Sequence, residues 1–205
     1  MVDQQPTQVG DSGSTPTPSL HFEPCKLRDV AAFVRTYHYS HTFPGGIDFS
    51  FRLLMDGQLA GVALFGWMAG NPEAKVCGFG KGDVRELMRV VLLDEVPKNS
   101  ETKFIGWCLR WLTRNTQIKA IVSFADPAHG HTGVIYKAGN WHYEGLQKPD
   151  RPRLIVDGIE LHPRMAYDRY GTSSYLKIRE MGHTVELRPR EPKHCYSYLL
   201  HRSGK

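Results

Sequence analysis

The stretch "FADPAHGHTGVIYKAGNWHYEG", Phe124 to Gly145, gathers groups able to move protons or bind metals. Asp126 closes the apolar run "IKAIVSFAD", the place where an α/β fold presents side chains to a crevice. A carboxylate there can accept a proton from an amine or hold a metal; equally, it can cap its own loop through Pro127. His129 and His131 flank Gly130, and such a pair chelates only when both rings converge and further ligands join them. Otherwise they are loop histidines, placed to meet a phosphate. Tyr136 falls in a short helix that Thr132 can cap and Gly139 can end. Its phenol suits an acid or an orienting hydroxyl, or a core tyrosine with one hydrogen-bond partner.

Three other places offer chemistry. "HYSH", His38 to His41, holds two imidazoles, each able to act as base or ligand at neutral pH. Arg89 interrupts the apolar "LMRVVLL", and a buried guanidinium is costly unless it is paired or meets an anionic ligand. Glu86, Asp94 or a bound donor would serve. "PKNSET", Pro97 to Thr102, puts Lys98, Asn99, Ser100 and Thr102 at a helix start, where unpaired amides and hydroxyls receive an anion. Asn99 or Ser100 acting as a plain helix cap is the alternative.

The elements that position these groups are read from pattern. Residues 1–20 are rich in Pro, Ser, Thr and Gly with almost no large apolar side chains, so a disordered tail is expected. A helix follows Cys25, with Val30, Phe33 and Val34 on one stripe. "FRLLMDGQLAGVALFG" forms a hairpin around Asp56-Gly57. "VRELMRVVLLDEV" reads as a central strand, apolar on both faces. The helix after "PKNS" carries Phe104, Ile105, Cys108, Leu109 and Leu112 on one stripe. "IKAIVSFAD" and "WHYEGL" are strands on either side of the short helix, and Trp107 and Trp141 are core residues. Further on, "RLIVDGIELH" is a second Asp-Gly hairpin, "TSSYLKIREMG" a helix stopped by Gly182, and "HTVEL" and "CYSYLL" are strands.

Charge divides the chain. Residues 1–147 hold 14 Lys+Arg against 14 Asp+Glu, whereas residues 148–205 hold 12 against 7, so the whole net charge of +5 lies in the last part. That part also carries Tyr167, Tyr170, Tyr175, Tyr196 and Tyr198. Cations interleaved with aromatics suit a nucleic acid backbone with exposed bases, and a solvated basic face is the plain alternative. Arg164, Arg169, Tyr170, Lys193, His194 and Tyr196 are the candidates for such a face. The expected organisation is a tail over 1–20, an α/β (α+β) core over 21–147, and a basic, β-rich extension over 148–205. Four scattered cysteines without a CxxC pair argue for reduced thiols, and no apolar run reaches the roughly 18 residues of a membrane span.

The order strand, helix, hairpin, central strand, helix, strand, short helix, strand resembles the Gcn5-related acyltransferase fold, a central mixed sheet flanked by helices. In that fold the helix after the central strand receives the donor's pyrophosphate, here at Lys98 to Thr102, although the family's glycine-rich pattern is absent. A narrower resemblance rests on "YHYSHTFPGG", "ELMRVVLLDEVPKNSETKFIGWCLRWL", "SFADPAHGHTGVIYKAGNWHYEG", "YGTSSYLKIREMG" and "PKHCYSYLL". Together, and in this order, they resemble the Mom family of bacteriophage DNA-modification proteins. The resemblance implies an enzyme of the infected bacterial cytoplasm that places a carbamoylmethyl group on adenine's exocyclic amine in double-stranded DNA and so blocks restriction. It implies catalytic roles for His38, Tyr39, Asp126 and Tyr136, and a place near the donor for Arg89. The donor it implies is acetyl-CoA or another activated two-carbon or glycyl compound, an aminoacyl-tRNA included. Iron is linked to some members, and His38 and Asp126, with His41, would be its ligands here. Two rival functions fit the same residues: an amine acyltransferase acting on a protein or small molecule, and a DNA-binding accessory protein with a dead cleft.

Overall fold

The computed structural model describes residues 17–38, 43–68, 78–147 and 152–200. The expected tail lies outside the described residues except for its last four, and Leu20 already opens a strand. In chain order the elements are β1 (Leu20–Cys25), α1 (Leu27–Tyr37), β2 (Ile47–Met55), β3 (Gln58–Gly66), β4 (Val84–Leu92), α2 (Ser100–Asn115), β5 (Ala120–Ala125), α3 (Val134–Ala138) and β6 (His142–Gln147). Then come β7 (Arg153–Val156), β8 (Ile159–Leu161), α4 (Pro163–Tyr170), α5 (Tyr175–Glu180), β9 (Val185–Arg188) and β10 (Lys193–Leu199). None of the described helices is long and apolar enough to cross a membrane.

Seven strands form one sheet in the order β1-β2-β3-β4-β5-β10-β6. Both expected Asp-Gly turns occur, with positive φ at Asp56, Gly57, Asp157 and Gly158, as a tight two-residue hairpin requires. Alternation along β3 assigns its side chains to two layers. Val62 and Leu64 pack with Val30, Phe33 and Val34 of α1. Ala63 and Phe65 join Phe104, Ile105, Cys108, Leu109 and Leu112 of α2. Helices thus cover both faces of the sheet.

Two irregularities in the middle of the sheet make room for a site. Leu64 pairs with Arg89 and Phe65 with Leu87, so Met88 is an extra residue on β4, a bulge that bends the strand and re-aims its side chains. β4 and β5 are the sheet's parallel pair, and their ladder joins only Val84, Arg85 and Glu86 to Ala120, Ile121 and Val122. Beyond that the two strands part. The Leu87 carbonyl instead accepts a hydrogen bond from the Ser123 hydroxyl at 2.9 Å.

The C-terminal part is two pieces. β8-β7-β9 form a separate three-stranded sheet whose Leu154, Val156 and Leu161 pack with Ala166 of α4 and Ile178 of α5. β10 returns to the main sheet, antiparallel to both β5 and β6. The basic part of the sequence therefore contributes an inner strand beside the β6 edge, a long-range pairing that local pattern does not reveal.

Candidate active site

A cavity of about 360 Å³ opens where β4 and β5 part. Its walls include His38, Arg89, Glu101, Asp126, His131 and Tyr136, drawn from five elements or their ends. His38 follows the last turn of α1, where its amide donates to the Val34 carbonyl at 3.0 Å, and its side chain is buried. Arg89 follows the bulge and donates from Nη1 to the Met88 carbonyl at 2.7 Å. The buried cation of β4 is a different one, Arg85. Its Nε donates to Asp48 at 2.6 Å, and its guanidinium lies 3.6 Å from the Trp67 ring centre.

Asp126 caps its own loop and also pairs with a lysine. Oδ1 accepts the Ala128 amide at 3.1 Å, closing the turn Pro127–His129, while Oδ2 lies 2.8 Å from the Lys193 ammonium. Tyr136 stands on α3, buried, with its ring 5.1 Å from Trp141 and 5.0 Å from Tyr196. Its hydroxyl is 2.8 Å from Ser123 Oγ. Gly133, at φ +77°, holds the N-cap of α3 in place of the expected Thr132. Only glycine fits, because a Cβ there would meet the Tyr196 ring.

Sequence pattern alone assigns no role to Glu101 or Ser123. Glu101 lies in the first turn of α2, and burial pushes its carboxyl above the ordinary glutamate value, against the opposing pull of His131. Its signal in the sequence was weak, since an acid at a helix start normally just complements the dipole. Ser123 was the more visible, a single hydroxyl inside the apolar "AIVSFA". His131 lines the cleft, while His129 ends the turn.

A second hollow, of about 270 Å³, runs from Leu92 to Glu101 and includes Lys98, Asn99 and Ser100. Asn99 takes a left-handed conformation, φ 66°, and its side chain makes no capping bond, so it is not a simple side-chain cap. Ser100 Oγ is buried with no hydrogen-bond partner. An orphaned hydroxyl beside a lysine and a helix N-terminus fits an anionic donor group. Thr102 is half-buried on the same turn.

Among the described residues no three His, Cys, Asp or Glu side chains approach closely enough to hold a metal. Asp126 faces an ammonium and an amide, and of the expected iron ligands only Asp126 and His38 are described. Tyr39 and His41 lie outside the described residues.

The expected nucleic-acid candidates separate. Arg169, on α4, is exposed; Tyr170 packs against the small core, 4.8 Å from the His183 ring. Arg164 is on α4 too, with its side chain outside the description. Lys193 and His194 are on β10, where His194 Nδ1 is 2.8 Å from the Tyr143 hydroxyl. Tyr196 corrects its expectation: it is 1% exposed, and its hydroxyl donates to the Thr132 carbonyl at 3.2 Å. It supports the cleft floor and offers no face to a base.

The profile of the Mom protein family matches residues 19–205. The methylcarbamoylase Mom of Escherichia phage Mu is 31% identical over 116 residues, which are 55% of this chain and 48% of that protein. The match thus spans about half the length of that curated relative. Among solved structures, Arabidopsis thaliana NAA60 in complex with acetyl-CoA aligns with a TM-score of 0.55 at 10% identity, covering 88% of this chain and 98% of that one. The ribosomal-protein-S18-alanine N-acetyltransferase of Escherichia coli aligns at 0.52 and 9% identity, covering 91% and 97%. Likeness at such low identity establishes the acetyltransferase fold, as expected from the order of elements.

Proposed function

The chain belongs to the Mom protein family, and from that premise we propose that it is a phage DNA-modifying transferase acting on the exocyclic amine of adenine. The observation that carries the reading is the convergence of His38, Asp126 and Tyr136, remote in sequence, on one cavity at the parting of β4 and β5. The phage Mu relative, named a methylcarbamoylase, supports a carbamoylmethyl-type product that protects DNA from restriction.

In this reading the adenine is extruded from the duplex, because its amine cannot otherwise enter a cavity of this size. His38 and Asp126 take up the proton the amine nitrogen releases as it bonds to the donor carbon. Tyr136 gives a proton to the departing group. Arg89 and the hollow at Lys98, Asn99, Ser100 and Thr102 hold the anionic part of an activated two-carbon or glycyl donor. A glycyl donor carries both carbons and the nitrogen of a carbamoylmethyl group, whereas acetyl-CoA, bound by NAA60 in its own fold, has the anionic part and the two carbons but needs a separate source of the nitrogen. An aminoacyl-tRNA presents phosphates as well, and would use the basic surface. Tyr39 is a further catalytic residue in the family pattern. Arg164, Arg169, Tyr170 and His194 are the proposed duplex contacts, with Lys193 shared between Asp126 and the cleft rim. The reaction belongs to the cytoplasm of the infected bacterium.

Incubating purified protein with acetyl-CoA, with and without duplex DNA, separates this reading from that of an ordinary amine acyltransferase. Salt-dependent duplex binding with no DNA-independent acyl transfer supports the proposal. Transfer to a protein or small amine without DNA, at undiminished rate and with no duplex binding, overturns it.

A further inference from the structure

The Ser123 hydroxyl has one proton and two neighbours. It lies 2.9 Å from the Leu87 carbonyl and 2.8 Å from the Tyr136 hydroxyl. A carbonyl oxygen only accepts, so the serine proton is committed to Leu87. The remaining bond must then be donated by Tyr136. In the resting cleft the phenol proton therefore points at Ser123.

The opening of the sheet gives this serine its first partner. Leu87 is the first β4 residue past the end of the β4–β5 ladder, so its carbonyl has lost its place in the parallel pairing. Burial makes an unsatisfied carbonyl costly, and the Ser123 hydroxyl, itself 1% exposed, replaces the missing partner. The place where the sheet opens to make the site is thus the place where a rotatable hydroxyl meets the tyrosine.

We infer that Ser123 is a positioning residue for Tyr136: it holds the phenol's proton at rest and turns its own hydroxyl onto the phenolate once that proton has been given up. The inference rests on Tyr136 acting as the acid. In the step, the O–H bond of Tyr136 breaks and its proton bonds to the heteroatom of the donor's leaving group. The electron pair of that bond remains on the phenolate oxygen. Ser123 keeps its proton and swings it from the Leu87 carbonyl to the phenolate, a change of torsion between two acceptors already within reach. Water reprotonates the phenolate when the products leave. A neutral hydroxyl that can switch between two acceptors gives the buried phenolate a hydrogen-bond donor as it forms.

The test pairs turnover with a direct reading of Tyr136. Protein labelled with difluorotyrosine, which ionises near neutral pH, is titrated by fluorine NMR, with Y136F assigning the resonance. In S123A the Tyr136 resonance is expected to titrate at higher pH than in the unchanged protein. Modification of duplex DNA is expected to fall about tenfold in kcat, with KM for DNA held within about twofold. S123T, which restores a hydroxyl, should recover both. Should S123A fail to fold, S123C keeps a side chain of similar size with a weaker donor and is read the same way. An unchanged titration of Tyr136 in the folded variant overturns the inference, as does an undiminished kcat. The NMR arm needs no turnover, so a protein that modifies no adenine but shows the shifted titration would count against the proposed function and not against the Ser123–Tyr136 coupling.

Discussion

Lys193 and Asp126 form an ion pair, Nζ to Oδ2 at 2.8 Å, between the start of β10 and the end of β5. The lysine side chain is 45% exposed and the aspartate 15%, so the pair bridges the cleft rim and its interior. An expected phosphate contact is thereby also the counter-ion of an expected catalytic carboxylate.

Replacing Lys193 separates these roles. If the lysine chiefly fixes Asp126, K193A lowers kcat about tenfold or more, K193R recovers most of it, and the salt slope of duplex binding is unchanged. If it chiefly grips phosphate, the slope falls by about one and kcat at saturating DNA holds. The first outcome is expected, and steady-state kinetics beside salt-dependent binding isotherms read it.

Glu101 yields a pH-dependent stability. Its carboxyl titrates above the ordinary value of 4.5 in the folded chain because burial penalises the charge. A group with a raised folded value favours the fold while protonated and loses that contribution as pH rises through the folded value. The ionised Glu101 is thus a burden at neutral pH. E101Q is expected to melt higher than the unchanged protein at pH 7, with the difference closing as pH falls through the raised folded value and gone below 4.5. Equal melting temperatures at pH 7 would contradict the assignment of burial as the cause.

Gly133→Ala combines a positive φ with a contact against the Tyr196 ring. It is expected to cost about 2 kcal/mol or more. In a chain of this size that lowers the melting temperature by roughly 5 °C. Because Gly133 also lines the cleft, turnover should fall further than stability alone accounts for. Calorimetry and kinetics on the folded variant check both.

Arg169→Ala tests the exposed side of the small sheet's module. Duplex binding is expected to weaken, with a salt slope smaller by about one, while kcat at saturating DNA holds. An unchanged slope would remove α4 from the interface.

Much of the site was legible because local pattern marked it. Asp56-Gly57 fixed a hairpin, the stripe from Phe104 to Leu112 marked α2, and Asp126 stood at the end of an apolar strand. What stayed hidden depended on partners distant in the chain. "CYSYLL" reads as a strand, but nothing local says that it enters the sheet between β5 and β6. Tyr196 therefore reads as a surface group although it lies beneath α3, and the pairing of the half-exposed Lys193 with Asp126 leaves no local mark. Arg89 drew attention as the cation in an apolar strand, while Arg85, which is the more buried, was passed over because its partners Asp48 and Trp67 come from other segments.

The proposed reaction requires that His38, Asp126 and Tyr136 act together on adenine in one cleft. Its most direct test is mass spectrometry of nucleosides from plasmid DNA after expression of the protein in a phage-infected bacterium. Expected is a deoxyadenosine heavier by a carbamoylmethyl group, lost in D126A and reduced at least tenfold in H38A and Y136F. Unmodified deoxyadenosine alongside abundant folded protein, or a modification that persists in D126A, would contradict it.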